Sequence, residues 1–96
     1  MNYKIEFDPK ARKNLKSLDN TVRKQIRKFL DKLEKVENPK AFGRSLENNL
    51  SGLWRYRVGD YRIIAEIQDN RLIVYVVSVG HRSTIYKETD KKLKGY

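Results

Sequence analysis

The stretch "GLWRYRVGDYRIIAEI", residues 52–67, predicts two β-strands joined by a tight turn and is the clearest guide to the architecture of the chain. Aromatic and β-branched residues alternate with arginines on both sides of Gly59-Asp60, a pair that suits a two-residue hairpin turn. A third run, apolar at both alternating positions, follows Asp69-Asn70, which suits a second hairpin turn. We therefore predict an antiparallel meander whose last strand is central and covered on both faces. The three strands span residues 53–58, 61–68 and 71–79.

The sequence before the meander predicts one strand and two helices. Residues 2–7 alternate in the manner of a strand. Asp8-Pro9 and Asp19-Asn20 are helix start signals, and each is followed by apolar residues at three- and four-residue steps. Residues 38–52 open with an Asn-Pro pair and contain glycine and asparagine, so they are interpreted as an irregular connection.

These elements predict one α+β domain over residues 1–96, with a small antiparallel sheet and the element order β-α-α-β-β-β. The helical hairpin packs on one face of the sheet, and residues 83–96 form a short helix or a basic tail. The absence of cysteine and the single histidine exclude disulfides and a thiolate or histidine zinc site, so we expect no cofactor and no metal. No targeting or membrane-spanning run is found, which favours a soluble, cytoplasmic protein.

The charge of the chain points to a polyanionic partner, nucleic acid above all. There are 22 Lys and Arg residues against 12 Asp and Glu, a formal net charge of +10. Residues 10–36, the helical hairpin, hold ten of the basic and three of the acidic residues. Such a surface could bind phosphate backbone without reading sequence, or it could be an ordinary solvated helix face. The candidate RNA-binding residues are Arg23, Lys24, Arg27 and Lys28.

The strand arginines form a second basic feature. Arg55 and Arg57 share a face because strand side chains alternate, and the hairpin turn could bring Arg62 close to them. Three crowded guanidinium groups repel one another, and a bound phosphate would offset that cost through paired hydrogen bonds. The alternative is that they project into solvent or pair with Glu66 or Asp60.

The segment "SVGHRSTIY", residues 78–86, adds polar groups where the last strand leaves the sheet. Arg82 could join the same basic patch. His81 and Tyr86 are residue types that can transfer protons when neighbouring positive charge lowers their pKa. The alternatives are an inert surface histidine and a tyrosine whose ring packs on the sheet.

The order of elements, the "LSGLWRYRVGDYRIIAEI" hairpin and the "VVSVGHRSTIY" ending together resemble the RelE/ParE toxin superfamily of type II toxin-antitoxin systems. The match is to the RelE branch, whose members are ribosome-dependent endoribonucleases that cut mRNA in the decoding site. By position, the resemblance implies that the catalytic residues are Arg55, Arg57, Arg62, Arg82 and Tyr86.

The resemblance also implies a mechanism. The arginines would surround the scissile phosphate while the adjacent ribose 2′-hydroxyl attacks it, giving a 2′,3′-cyclic phosphate and a free 5′-hydroxyl. The RelE type member has lysines at the two strand positions, whereas arginine keeps its proton and is a poor general base. Proton transfer would then fall to Tyr86, His81 or ribosomal RNA. Some relatives have a glutamate base in the loop before the sheet. Glu47 lies in that loop, but aligning "NLSG" puts Arg44 nearer that position, so Glu47 is not assigned the role.

The implied partners are a RelB-like antitoxin encoded alongside, the ribosome and mRNA, with no membrane. The chain would be a monomer when free and a toxin-antitoxin hetero-oligomer when inhibited. An amphipathic helix of the antitoxin would cover the basic patch or displace the tail from residue 83 onward.

Two alternatives to the nuclease stay open. ParE-like members share the fold, lack RNase chemistry and poison DNA gyrase. A non-catalytic RNA-binding module would need aromatic stacking platforms. Trp54 and Tyr56 are aromatic, but alternation puts them on the sheet face opposite the arginines, where we expect them to fill the core.

Overall fold

Five strands form one mixed sheet with two helices on one face in the computed structural model, which describes residues 2–46 and 52–85. The elements in chain order are β1 (Lys4–Phe7), α1 (Pro9–Ser17), α2 (Asn20–Leu33), β2 (Arg44–Ser45), β3 (Leu53–Val58), β4 (Tyr61–Gln68) and β5 (Ile73–His81). The order of strands across the sheet is β1-β5-β4-β3-β2. This arrangement confirms the predicted α+β class.

Both helices begin where the sequence predicts. The Asp8 carboxylate accepts a hydrogen bond from the backbone N–H of Lys10 at 3.0 Å, and Pro9 occupies the first turn of α1. The Asp19 carboxylate accepts from the backbone N–H of Thr21 at 3.1 Å and caps α2 in the same way. Each aspartate satisfies a backbone donor that the first helical turn leaves unpaired.

The direction of β1 differs from the prediction. β1 pairs with β5 in parallel, from Lys4 opposite Ile73 to Phe7 opposite Val76, so the sheet is mixed rather than antiparallel. The pattern of alternating side chains is the same in both kinds of pairing, and a short strand therefore gives no sign of its direction. The position of β5 is as predicted, since it lies between β1 and β4 and is buried along most of its length.

The two connections within the meander are unlike each other. Gly59 adopts φ +59° in the turn between β3 and β4, which is the left-handed conformation that the predicted hairpin requires. The predicted tight turn at Asp69-Asn70 is wrong in detail, because residues Asp69–Arg71 form a 3₁₀ turn and Leu72 takes the left-handed conformation. Because this turn is longer than predicted, β5 begins at Ile73 and not at residue 71.

Most of the core lies between the helices and the sheet. Its buried members are Ala11, Ile26, Leu30, Leu33, Tyr56, Ile63, Ala65, Val74, Val76 and Val79. A smaller cluster of Leu53, Ile64, Val77 and Ile85 lies on the opposite face, beside the strand arginines. Within the described residues, neither helix is long and apolar enough to cross a membrane.

Candidate phosphate-binding site

Four arginines share the sheet face that the helices leave uncovered. Arg57 lies directly opposite Arg62 in the β3–β4 pairing, and Arg44 lies directly opposite Arg55 in the β2–β3 pairing. Side chains directly opposite each other on antiparallel strands point to the same face, as do residues two apart on one strand. We call these four residues the arginine face. The predicted common face of Arg55, Arg57 and Arg62 is therefore confirmed.

Three of the four arginines line a groove at the edge of the sheet. The groove has a volume of about 540 Å³ and is lined by Ala41, Phe42, Gly43, Arg44, Arg55 and Arg57. None of these six residues is acidic, so the groove carries a concentrated positive charge. Each guanidinium presents a planar set of N–H donors that matches phosphate oxygens, which makes the groove chemically suited to a backbone phosphate.

Arg62 lies beside this groove with its guanidinium fixed at the end of the hairpin. Its Nη1 donates to the carbonyl oxygens of Gly59 and Tyr61, both at 2.9 Å. A guanidinium has five N–H donors, so these two bonds orient the group and leave other donors for a ligand. The side chain is partly buried, unlike that of Arg57, which is exposed.

Arg82 lies at the same end of the sheet, next to the hairpin tip. Its backbone N–H donates to the carbonyl of Asp60 at 2.9 Å, and its Nε is 3.8 Å from Asp60 Oδ1. Both side chains are well exposed, at 63% and 71%, so this long ion pair contributes little free energy. The Arg82 side chain can therefore turn toward an anionic ligand at small cost.

His81 is not brought to the arginine face. It lies directly opposite Tyr61, whereas its neighbour Gly80 lies opposite Arg62, so His81 and Arg62 point to different faces. Its ring meets Tyr61 edge to face, with centroids 5.5 Å apart, and its Nδ1 is 2.8 Å from the Ser83 hydroxyl. Tyr86, Glu47 and the predicted tail beyond residue 85 lie outside the described residues.

Aromatic side chains of β3 hold the segment that completes the groove. On the helix side of the sheet, the Tyr56 hydroxyl donates to the Pro39 carbonyl at 2.8 Å, and Trp54 Nε1 donates to the Lys40 carbonyl at 3.2 Å. Burial raises the pKa of Tyr56, so its hydroxyl remains a donor. Tyr56 is buried in the core as predicted and the partly buried Trp54 packs against it, and both also position the 3₁₀ turn at Pro39–Phe42.

Gly43 lets this segment lie against β3. A Cβ atom at this position would be 2.5 Å from the Arg55 carbonyl oxygen and 2.7 Å from Trp54 Cδ1. Only glycine therefore permits Arg44 to pair beside Arg55. The segment is also tied to the β4–β5 connection, because Lys40 Nζ lies 2.6 Å from Asp69 Oδ2.

The Asp69 carboxylate is shared by two partners. Lys40 donates to one oxygen and the Tyr3 hydroxyl to the other, and these hydrogen bonds hold the pKa of Asp69 below its ordinary value. The same carboxylate raises the pKa of Tyr3 above its ordinary value. These contacts join Tyr3, Lys40 and Asp69, which are distant in sequence, and so tie down the 3₁₀ turn at Pro39–Phe42.

Phe42 and Arg44 line the groove but were not among the site residues predicted from the sequence. Both lie within residues 38–52, which were predicted to be an irregular connection and instead contain a 3₁₀ turn and the two-residue strand β2. A two-residue strand is too short to show alternation. One signal in the residues themselves was Gly43, since a glycine can mark a close backbone approach.

The predicted RNA-binding residues lie on the other side of the molecule. Arg23, Lys24 and Arg27 line a groove of about 530 Å³ whose apolar part includes Phe7, Leu15 and Leu30, while Lys28 is exposed outside that lining. We call it the helix groove; Arg12 and Lys16 complete its lining. The Arg23 guanidinium donates to Asn20 Oδ1 at 3.2 Å and to the Lys16 carbonyl at 3.4 Å.

Comparison with known proteins points to one family. A family model described as the ParE toxin of the type II toxin-antitoxin system parDE matches residues 5–86. The mRNA interferase toxin RelE of Escherichia coli is 34% identical over 100 aligned positions, which cover 97% of this chain and 99% of that protein.

Solved structures agree with the sequence comparison. A chain of the toxin-antitoxin complex RelBE2 from Mycobacterium tuberculosis matches with a TM-score of 0.78 at 28% identity, covering 85% of this chain and 100% of that chain. A mutant of the E. coli toxin RelE in the free state matches with a TM-score of 0.72 at 28% identity, covering 96% and 98%. Sequence and fold thus agree over nearly the whole chain, and this protein belongs to the RelE/ParE superfamily of type II toxin-antitoxin systems as a RelE-type toxin.

Proposed function

We propose that this RelE-type toxin is an endoribonuclease that cuts mRNA in the decoding site of the ribosome and so stops translation. The observation that carries this proposal is the arginine face, in which Arg57 lies directly opposite Arg62 and Arg44 directly opposite Arg55. The similarity to the mRNA interferase RelE, at 34% identity over 97% of the chain, supports the same reaction.

The arginine face is costly as pure structure. Like charges directly opposite each other in a sheet destabilise it, and the same positions could hold apolar side chains. A backbone phosphate bound there makes the arginines stabilising instead of destabilising, because each guanidinium then makes charge-assisted hydrogen bonds. The face is also preorganised by the sheet register, so little reorganisation is needed when charge develops on the phosphate.

The reaction assigned to this face is an internal phosphoryl transfer. The ribose 2′-oxygen attacks the adjacent phosphorus and the bond to the 5′-oxygen breaks, leaving a 2′,3′-cyclic phosphate and a 5′-hydroxyl. One proton leaves the 2′-hydroxyl and one is delivered to the departing 5′-oxygen. Arg62 and Arg82 stabilise the developing negative charge, and Arg55 and Arg57 position the phosphate.

Proton transfer is assigned to Tyr86 or to ribosomal RNA groups. Arginine keeps its proton at any accessible pH and is a poor general base. His81 has the chemistry for this role, but its ring packs on Tyr61 across the sheet from Arg62. A role for His81 would require its side chain to move around the end of β5.

The helix groove and its exposed neighbours are proposed to bind RNA backbone. Arg23, Lys24, Arg27 and Lys28 lie on α2, away from the arginine face, so they can anchor the toxin on RNA without entering the reaction. Binding of this kind does not depend on the RNA sequence. Its affinity falls steeply as the salt concentration rises, because each neutralised phosphate releases counterions.

The proposed regulator is a RelB-like antitoxin that covers the arginine face or displaces the tail. The similarity to a chain of the RelBE2 toxin-antitoxin complex supports such a partner. The free toxin is proposed to be a cytoplasmic monomer that works among translating ribosomes, and the inhibited form a hetero-oligomer. Co-purification of untagged toxin with the product of the neighbouring gene tests this partner, and free toxin at every ratio would contradict it.

Primer extension on mRNA in a translating extract tests the nuclease. The wild type should give new 5′ ends only when ribosomes are present, and Arg62→Ala should abolish them. Arg71→Ala is the matched control, because it removes the same charge from an exposed position at the other end of β4 and should cut normally. Intact mRNA together with blocked DNA supercoiling would contradict the nuclease and favour the ParE-like gyrase inhibitor.

A further inference from the structure

Phe42 is an exposed aromatic residue with no role in the core. Among the residues that the structure describes, it is the one large apolar side chain that is exposed, at 41%. It ends the 3₁₀ turn at Pro39–Phe42, and neither hydrophobic cluster includes it. The exposed part of the ring contributes nothing to folding by burial, so its exposure calls for another explanation.

Its surroundings are cationic. Phe42 lines the same groove as Arg44, Arg55 and Arg57, and Lys32 Nζ at the end of α2 lies 5.1 Å from the centroid of its ring. An aromatic ring beside a positively charged groove is the arrangement by which proteins bind single-stranded nucleic acid, because the cations hold the backbone while a base stacks on the ring.

The segment that carries the ring is fixed rather than loose. Tyr56 and Trp54 hold the carbonyls of Pro39 and Lys40, and Gly43 packs directly against β3 immediately after Phe42. The ring is therefore presented at a defined place relative to Arg55, which lies in the same groove. A platform fixed in this way can select the position of a base as well as add affinity.

We propose that Phe42 stacks on the base of a nucleotide flanking the scissile bond while the neighbouring arginines hold its phosphate. This inference rests on the proposed nuclease function and assigns a substrate-binding residue to it. The acting group is the π face of the ring, so the base can be of any kind and the preference between bases is weak.

Single-turnover cleavage on programmed ribosomes tests the stacking. Phe42→Ala and Phe42→Leu should raise the half-saturating toxin concentration by about 5- to 150-fold, the range that loss of one base-aromatic stack produces. Phe42→Tyr and Phe42→Trp keep a π face and should stay within about twofold of the wild type. Gln25→Ala, an exposed neutral change on α2, is the control for truncation at the surface.

An mRNA series with one abasic nucleotide at each flanking position identifies the partner base. At one position, removing the base should weaken the wild type as much as Phe42→Ala does, and it should cost Phe42→Ala nothing further. Equal losses in both proteins at every position would overturn the inference while leaving the nuclease in place. Normal cleavage by Phe42→Ala with weakened antitoxin binding would overturn it as well, and would assign the ring to the protein partner. A wild type that cuts no mRNA would overturn the proposed function and this inference together.

Discussion

The arginine face and the helix groove are both strongly basic, yet they differ in how their charges are held. On the arginine face, the sheet register sets Arg57 against Arg62 and Arg44 against Arg55. In the helix groove, the cations are spaced along α1 and α2 around an apolar floor that includes Leu15 and Leu30. One surface sets its charges directly opposite each other on adjacent strands, and the other spreads them along two helices.

Charge density alone therefore does not mark a reactive site. The helical hairpin, residues 10–36, carries ten basic and three acidic residues, so it dominates the electrostatic attraction of the molecule for polyanions. A transition state, however, is stabilised by donors that are already in place when charge develops. By this criterion the four strand arginines should control the rate, and the helix cations should control affinity.

The largest difference in cleavage rate is expected between a variant that lacks one arginine of the arginine face and a variant that lacks one arginine of the helix groove. Arg62→Ala should lower the single-turnover cleavage rate by about 10²- to 10³-fold, the usual cost of one preorganised donor, and should relieve growth arrest when expressed. Arg27→Ala removes the same charge from the helix groove and should leave the rate at saturating toxin unchanged. The urea midpoint should show that both variants fold.

Arg62→Lys and Arg82→Ala sharpen this result. Lysine keeps the charge but lacks the planar fork, so Arg62→Lys should fall between the wild type and Arg62→Ala. Arg82→Ala should fold normally, since its ion pair with Asp60 is long and exposed, and should also relieve growth arrest. Full toxicity of both Arg62→Ala and Arg82→Ala would show that the arginine face is not the reactive surface.

A smaller effect, on stability, is expected from Gly43→Ala, which disturbs the packing of the segment next to Arg44 against β3. The added Cβ would meet the Arg55 carbonyl at 2.5 Å, and backbone cannot yield as a side-chain tip can, so the free energy of unfolding should fall by about 1–3 kcal/mol. Gly80→Ala is the matched control, because the nearest contact of its new Cβ would be the side-chain atom Cδ1 of Ile85, at 3.1 Å, and not backbone. Urea unfolding curves that give the two variants the same loss would refute the close-packing role of Gly43.

A weaker, salt-dependent effect is expected from the helix groove. Lys24→Ala or Arg27→Ala should each lower the slope of log affinity against log salt by about 0.7 for single-stranded RNA, with affinity measured by filter binding at several salt concentrations. The cleavage rate at saturation should not change. A slope identical to that of the wild type would show that these cations face solvent and contact no phosphate.

The smallest effect is expected from the pH dependence of stability through Asp69. Its pKa is lowered in the folded protein by hydrogen bonds from Lys40 and Tyr3, so its contribution is present above the unfolded pKa, near ~3.9. That contribution should fade as the pH falls through the lower folded pKa. Asp69→Asn should be less stable than the wild type near neutral pH, and the difference should shrink in acid. Parallel stability curves across this pH window would show that the carboxylate is not preferentially stabilised in the folded state.

Sequence patterns predicted whatever depends on local spacing. The caps at Asp8 and Asp19, the turn at Gly59 and the common face of Arg55 and Arg57 follow from the identity of a residue and its near neighbours. The parallel direction of β1 does not, because alternation looks the same in either direction. Strand β2 does not either, since two residues show no period, and this is why Arg44 was not predicted to share a face with Arg55.

The site also depends on contacts that no local pattern contains. The position of Phe42 is set by Tyr56 and Trp54 donating to carbonyls 17 and 14 residues earlier in the chain. The separation of His81 from Arg62 depends on the register of β4 against β5, in which Tyr61, and not Arg62, lies opposite His81. His81 and Arg62 therefore lie at the same end of the sheet but on different faces.

The role of the arginine face can be tested by a structure of this toxin on a ribosome that carries an mRNA with 2′-deoxyribose at the cleavage position. Without the 2′-hydroxyl the phosphate cannot be attacked, so the complex should persist. We predict that the phosphate at that position lies on the arginine face, within hydrogen-bonding distance of the guanidinium groups of Arg57 and Arg62. A phosphate held in the helix groove, with the arginine face turned to solvent, would contradict the account.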